Sequence, residues 1–235
     1  MPLVLITGAS QGIGAAIAEI FSEAYSGEAK LGLVARTEDK LADVAERCRS
    51  FGAVAEAFPC DVTDEAAVVA MANTVRSRYG TPNVLVNNAG AFIPGSFSET
   101  DTASFRSQIA TNLTSAFLVT RAFLGGMVER GSGDVMFMGS VASVRGYPGG
   151  VSYCAAKHGL LGLARALREE TKDDGIRVMS LLPGATRTAS WDGTDLPDER
   201  FIDPKDIAHA ALDAHRLSSR AVVEEILIRP ELGDI

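Results

Sequence analysis

The stretch Leu3–Tyr25, LVLITGASQGIGAAIAEIFSEAY, decides the fold. Leu3–Ile6 is a short, continuous apolar run, the pattern of a strand buried on both faces. It passes directly into Thr7-Gly8-Ala9-Ser10-Gln11-Gly12-Ile13-Gly14 and then into an amphipathic helix over Ala15–Tyr25. A glycine-rich turn alone is only a turn. Between a strand and a helix it becomes a pyrophosphate cradle, because glycines permit close backbone approach and the helix N-terminus offers free N–H groups. The spacing is Gly-x-x-x-Gly-x-Gly rather than the commoner Gly-x-Gly-x-x-Gly.

A second strand, Leu31–Ala35, ends in Arg36-Thr37. At the end of that strand in a dinucleotide-binding unit, an acidic residue would bond a ribose 2′-hydroxyl and an arginine would accommodate a 2′-phosphate. Arg36 therefore points to NADP rather than NAD; the alternative is an exposed arginine that starts a helix. A helix over Glu38–Phe51 follows, with Leu41, Val44 and Cys48 as its core face. The third strand, near Ala53–Phe58, leads to Asp61, either an acceptor for an adenine amino group or a turn former. Asp64 opens a helix that runs to Tyr79. The fourth strand, Val84–Val86, enters Asn87-Asn88-Ala89-Gly90, amides and small residues suited to a chain lying against a ligand.

The remaining strands are Val135–Met138, Arg177–Leu182 and Val222–Ile228, with a helix over Pro204–Leu217 before the last. Apolar strands alternating with helices predict an α/β fold: a Rossmann-type doubly wound parallel sheet of about seven strands, with helices on both faces. A single domain spanning residues 1–235 is expected at this length.

The chemistry-bearing residues cluster in GSVASVRGYPGGVSYCAAKHGLL, Gly139–Leu161. Tyr153 and Lys157 are four residues apart, which stacks them on one helix face over Val151–Lys172. An ammonium beside a phenol favours the phenolate, so the pair is expected to lower the Tyr153 pKa toward the range of acid–base work. Ser140 follows the apolar run Val135–Met138, where a strand ends and presents its hydroxyl to a cleft. Within a long helical region, Thr102–Arg130, Asn112 interrupts the apolar period. A buried amide there requires a helix distortion or a bound water, which makes Asn112 a candidate anchor for a functional water.

Composition narrows the partners. Net charge is −8 and the pI near 5.0, with no Lys/Arg run that could track a phosphate backbone, so nucleic acid is not an expected partner. No apolar run approaches a membrane span and no signal peptide precedes the first strand, so a cytoplasmic protein is expected. Cys48, Cys60 and Cys154 form no Cys-x-x-Cys, which argues against disulfides and against a metal site. Cys154 reads as a small buried hydrophobe. After Gly184 the chain turns polar and turn-rich over 185–205, the pattern of a substrate loop. That loop holds Trp191, the only tryptophan, which either packs the loop down or stacks on a flat substrate.

With these residues in hand, the sequence resembles the short-chain dehydrogenase/reductase family along essentially its whole length. Thr7–Gly14, Asn87–Gly90, Asn112, Ser140 and Tyr153–Lys157 occur in the family's order and spacing, and Pro183–Thr188 looks like its segment beside the nicotinamide. The resemblance implies reduction of a small-molecule ketone or aldehyde to an alcohol with NADPH. Tyr153 would be general acid, Ser140 would orient the carbonyl, Lys157 would hold the nicotinamide ribose, and Asn112 would anchor a water.

It also implies that NADP lies against Gly8, Ser10, Gln11, Gly12, Ile13 and Gly14. Further contacts would come from Arg36, Thr37, Asp61, Val62, Asn88, Ala89 and Gly90. Pro183, Gly184, Thr186 and Thr188 would complete the set, with Tyr153 and Lys157 at the nicotinamide. Relatives that use NADP often carry a basic residue at the position of Gln11; here Thr37 and Lys40 would assist Arg36. The C-terminal third looks like that of bacterial sepiapterin reductase-type enzymes, which implies a pterin against Trp191 and Asp234. A 3-oxoacyl or other small-carbonyl reductase shares the same catalytic residues, and a catalytically silent NADP-binding regulator is the reading from another class. A homodimer or homotetramer is implied by the resemblance.

Overall fold

Apolar runs that a sheet can bury on both faces form the strands. The computed structural model describes Met1–Ile235 and arranges seven of them in one parallel sheet. They are β1 (Leu3–Thr7), β2 (Lys30–Ala35), β3 (Val54–Pro59), β4 (Val84–Asn87), β5 (Gly133–Met138), β6 (Ile176–Pro183) and β7 (Glu225–Ile228), in the order 3-2-1-4-5-6-7. The helices are α1 (Gly12–Tyr25), α2 (Glu38–Ser50), α3 (Glu65–Tyr79), α4 (Thr102–Ile109), α5 (Ser115–Arg130), α6 (Val151–Thr171) and α7 (Pro204–Arg216).

Six of the seven helices bury one apolar stripe on the sheet, whereas the buried residue of α4 is Gln108. Ile17, Phe21, Leu41, Ile207 and Leu212 from α1, α2 and α7 fill the core of one face. Val68, Val75, Phe123, Leu160 and Leu167 from α3, α5 and α6 fill the other. The strand order reverses between β1, which pairs with β2, and β4 on its other side. A crevice opens there beyond the carboxyl ends of the strands, where ligands bind in open α/β sheets. Thr7, Asn87, Met138 and Pro183 end the four strands around it.

Two expectations are refined. The last strand begins at Glu225, not Val222. It is an edge strand alternating between exposed and half-buried side chains, and Val222 and Val223 pack against the core without pairing. The helical region over Thr102–Arg130 is not continuous: a π turn, Ala110–Thr114, separates α4 from α5. No helix is long and apolar enough to cross a membrane. All three cysteines are free and buried.

At the opposite end of the sheet, Asp134 on β5 closes a buried polar clasp. It accepts from Arg177 Nε at 2.7 Å and Nη2 at 2.6 Å, and from His215 Nδ1 at 2.5 Å. His215 Nε2 lies 2.7 Å from the Tyr25 hydroxyl, which ties α1 and α7 to the sheet. Removing one member of a buried ion pair strands the others. Asp134→Ala is therefore expected to cost about 3 kcal/mol in urea unfolding, while turnover by the folded fraction, measured well below the melting temperature, keeps its KM because the clasp lies outside the crevice.

Candidate active site

The turn from β1 into α1 forms one wall of the crevice. Gly8 and Gly12 have φ of +65° and +57°, left-handed values that disfavour any side chain. A Cβ on Gly14 would lie 2.3 Å from the Gly8 carbonyl oxygen, so only glycine lets the helix start so close to the turn. Gln11 precedes α1 without making a side-chain cap, which leaves the first-turn N–H groups without a side-chain acceptor. A close backbone turn and an uncapped helix N-terminus fit a dinucleotide pyrophosphate.

The segment after β4 holds this turn in place. Asn88 N and Ala89 N each donate to the Thr7 hydroxyl at 3.0 Å, and Asn88 Nδ2 donates to the carbonyls of Thr7 and Gly8 at 3.0 and 3.2 Å. The Asn88 side chain thus spends its donors on the turn, although the residue also lines the cavity.

Ser140 stands just past the end of β5, buried, and caps the short 3₁₀ turn Val141–Ser143. Its Oγ accepts from Ala142 N at 3.1 Å, which leaves its O–H to be donated elsewhere. Tyr153 and Lys157 share one face of α6, and Lys157 Nζ lies 5.5 Å from the Tyr153 ring centre. Lys157 is only 3% exposed and donates to Met138 O at 2.7 Å.

The expected lowering of the Tyr153 pKa is not what this arrangement produces. Burial pushes Tyr153 up to about 12, opposed by the Ser140 hydroxyl beside it and aided by Cys154. Burial likewise pulls Lys157 down to about 8. Loss of solvation is the leading cause of both shifts.

Asn112 sits in the π turn and is 1% exposed. Its Nδ2 donates to Ala91 O at 2.9 Å and to Gln108 O at 3.1 Å, while its Oδ1 accepts from Ala91 N at 3.0 Å. The expected helix distortion is present, and Ala91 and Gln108 satisfy the side-chain amide. Asn112 therefore clamps the chain beside Gly90, where an added Cβ would lie 2.7 Å from Asn112 Oδ1 and 3.5 Å from Lys157 Nζ.

A cavity of about 410 Å³ joins these parts. It is lined by Gly8, Gln11, Gly12, Ile13, Asn88 and Gly90 on one side and by Pro183, Gly184, Thr186 and Thr188 on the other. Asn112, Ser140, Tyr153 and Lys157 lie between them, and Trp191 and Asp234 close the outer end. Thr188 faces Gly12 across the groove, 3.1 Å from where a Cβ would be. Ser10, Gly14, Ala89, Arg36, Thr37, Asp61 and Val62 do not line this cavity.

Arg36 and Asp61 lie beyond the carboxyl ends of the adjacent strands β2 and β3, and hydrogen bonds from Thr63, with a lesser contribution from the Arg36 guanidinium, hold the Asp61 carboxyl low. Asp61 Oδ1 accepts from Thr63 N at 2.9 Å and Thr63 Oγ1 at 2.7 Å, which makes it a turn former. Arg36 is exposed, and Lys40 Nζ donates to Gln11 Oε1 at 3.0 Å, bringing a second cation to the glycine turn.

The sequence reading missed Phe92, Arg145 and Tyr147, all of which line the outer cavity. Phe92 packs edge-on against Tyr153 at 5.2 Å and Tyr147 at 6.3 Å between ring centres. Arg145 and Tyr147 lie in the turn between Ser140 and Tyr153, a placement that was itself a signal. Trp191 packs edge-on to buried Phe201 at 5.2 Å, yet it also lines the cavity. Both expected roles are open to it. Asp234 reaches the cavity, but its carboxylate is held by Arg145 and Arg229.

The chain matches the family model described as short chain dehydrogenase over residues 2–197. It is 35% identical to a sepiapterin reductase of Chlorobaculum tepidum across 99% of this chain and 98% of that one. Among solved structures it is similar to an alcohol dehydrogenase of Thermococcus sibiricus complexed with 5-hydroxy-NADP. That likeness has a TM-score of 0.91 at 30% identity, covering 98% of this chain and 97% of that one. It is also similar to an actinorhodin polyketide ketoreductase variant with NADPH, with a TM-score of 0.88 at 28% identity, covering 100% and 98%.

Buried Lys157 also makes a prediction about stability. Between about pH 8 and 10.5 the unfolded chain binds more protons at this lysine than the folded one, so stability rises with pH through that window. Lys157→Met is expected to abolish that rise and to stabilise the protein at neutral pH by on the order of 1–3 kcal/mol. Urea unfolding of both proteins across the window checks it; a steeper rise in the variant would contradict the assignment.

Proposed function

The chain belongs to the short-chain dehydrogenase family, and on that premise we propose that it reduces the carbonyl of a flat, pterin-like ketone to an alcohol. It is an NADP-dependent oxidoreductase. The observation that carries the finer reading is an outer cavity walled by Phe92, Tyr147 and Trp191 that ends at Ser140 and Tyr153. Aromatic walls of this kind favour a planar ligand. The sepiapterin reductase likeness over nearly the whole chain supports it.

NADPH, when bound, supplies the hydride. Gly8 to Gly14 would hold its pyrophosphate, with Ser10, Gln11 and Ile13 in the same turn. Arg36, Thr37 and Lys40 would meet the 2′-phosphate, and Asp61 and Val62 the adenine. Asn88, Ala89, Gly90, Pro183, Gly184, Thr186 and Thr188 would flank the remainder, and Lys157 the nicotinamide ribose.

Ser140, whose Oγ already accepts from Ala142 N, donates its O–H to the substrate carbonyl and orients it. Tyr153 remains protonated at neutral pH and gives its proton to that oxygen. The resulting phenolate is a far stronger base than Lys157, so the ammonium can return the proton. Asn112, through Ala91, keeps the opposite wall in register. The 185–205 segment acts as the substrate loop. Phe105 and Phe117, exposed on α4 and α5, offer an apolar face for pairing with a second copy as a dimer or tetramer.

NADPH oxidation followed against sepiapterin, an acetoacetyl thioester and a diketone tests the substrate class. Sepiapterin is expected to be turned over fastest, with the preference lost in Trp191→Ala. A winning thioester would favour the second reading, a ketoacyl reductase, which the actinorhodin ketoreductase likeness supports. Tyr153→Phe should lower kcat by about 10²–10⁴-fold; a protein inactive on every carbonyl would instead act as a silent NADP-binding regulator. Arg36→Ala should raise the KM for NADPH by about tenfold or more, the weight of a charge-assisted hydrogen bond, and leave NADH kinetics in place.

A further inference from the structure

The substrate end of the cavity holds a second phenol that the reductase chemistry leaves unused. Tyr147 lines the cavity and is 37% exposed. The Tyr25 and Tyr79 hydroxyls bond His215 and Glu56, whereas the Tyr147 hydroxyl has no hydrogen-bond partner in the protein. Partial burial, and to a lesser degree Tyr153 and Cys154, hold it above the ordinary phenol range. At neutral pH it is an uncharged group that can both donate and accept.

The fold fixes this ring. Gly150 passes directly against it, and a Cβ there would lie 2.5 Å from Tyr147 Cε2. Gly150 has a φ of −113°, so space for the ring, and not backbone conformation, calls for glycine. The turn that carries Tyr147 is tied to the segment after β4, with Gly95 N donating to Gly149 O at 2.8 Å. Phe92 of that segment packs edge-on against both Tyr147 and Tyr153. The two phenols are therefore neighbours across one ring, and both line the cavity that holds Ser140.

We propose that Tyr147 is a specificity-determining residue that hydrogen bonds a second substrate oxygen, so that the preferred substrate carries a carbonyl or hydroxyl on the carbon beside the one reduced. The inference rests on the reading of this cavity as the substrate pocket of a reductase and narrows the class of ketone it takes. With Ser140 and Tyr153 committed to the reacting carbonyl, a bound ketone without a second oxygen would cover the Tyr147 hydroxyl and leave it unpaired. A vicinal diketone or an α-hydroxyketone pairs it instead. One phenol serves both, since its O–H donates to a carbonyl and its oxygen accepts from a hydroxyl. The shared contact with Phe92 sets the reach, because a group this near Tyr153 meets an oxygen close to the reacting one. A site built to bond a substrate oxygen rejects the analogue that lacks it, whereas an aromatic wall alone discriminates by shape.

Calorimetric titration of the NADP⁺-saturated protein with 1-phenyl-1,2-propanedione and with phenylacetone tests the assignment, since the two share a skeleton and differ by one oxygen beside the ketone. The wild type is expected to bind the dione more tightly. Tyr147→Phe keeps the ring and removes the hydroxyl, and it should lower the preference for the dione by at least about threefold, within the weight of one neutral hydrogen bond. A role in packing alone would shift both affinities together and leave their ratio in place. A ratio in Tyr147→Phe within about threefold of the wild-type value would overturn the proposal, as would failure of the wild type to bind either ketone. NADPH oxidation with the same two compounds separates this from the reductase reading. If the binding ratio falls as stated but neither ketone is reduced, the reductase reading fails and recognition of the second oxygen by Tyr147 stands. If either ketone is reduced but the ratio does not move, the role of Tyr147 fails and the reductase reading stands.

Discussion

The buried hydroxyl of Thr7 is the contact on which the site depends. It closes β1 at the point where the strand order reverses, and it receives the backbone N–H groups of Asn88 and Ala89. Through that one oxygen the segment after β4 is drawn over the glycine turn. Gly14 must lack a side chain for the same reason, since the Gly8 carbonyl and the Asn88 amide occupy the space a Cβ would need. The glycine turn and the segment after β4 thus share a single hydrogen-bonded seam.

Burial, more than proximity of charges, sets the proton chemistry. Tyr153 and Lys157 lie in a site that penalises phenolate and ammonium alike, so one pKa rises and the other falls. In the proposed reduction that order would keep Tyr153 as the acid and let Lys157 resupply its proton. The arrangement burdens the fold, because a nearly inaccessible lysine is held against a backbone carbonyl. Exchange of stability for function is common at active sites.

The outer cavity follows a different logic. Its walls are aromatic, and Arg145, its exposed cation, donates to the Asp234 carboxylate. Arg145 and Asp234 come from loops far apart in the chain, one beside Ser140 and one beyond β7. The parallel sheet brings them together because β5, β6 and β7 are neighbours that end on the same side.

The amino-acid sequence by itself determined the order of strands and helices, the glycine turn, and the spacing of Ser140, Tyr153 and Lys157. These are local signals: apolar period, turn chemistry and side-chain spacing act over a few residues and survive without a partner. It was less informative at β7, where an edge strand lacks the continuous apolar run of a buried one. The tertiary structure alone decided that Asp61 forms a turn, that Ala91 satisfies Asn112, and that Tyr153 is raised rather than lowered. It also decided that Asp234 meets Arg145 across 89 residues. Each of these depends on desolvation or on a hydrogen-bond partner supplied from elsewhere in the chain, quantities that exist only once the layers have packed.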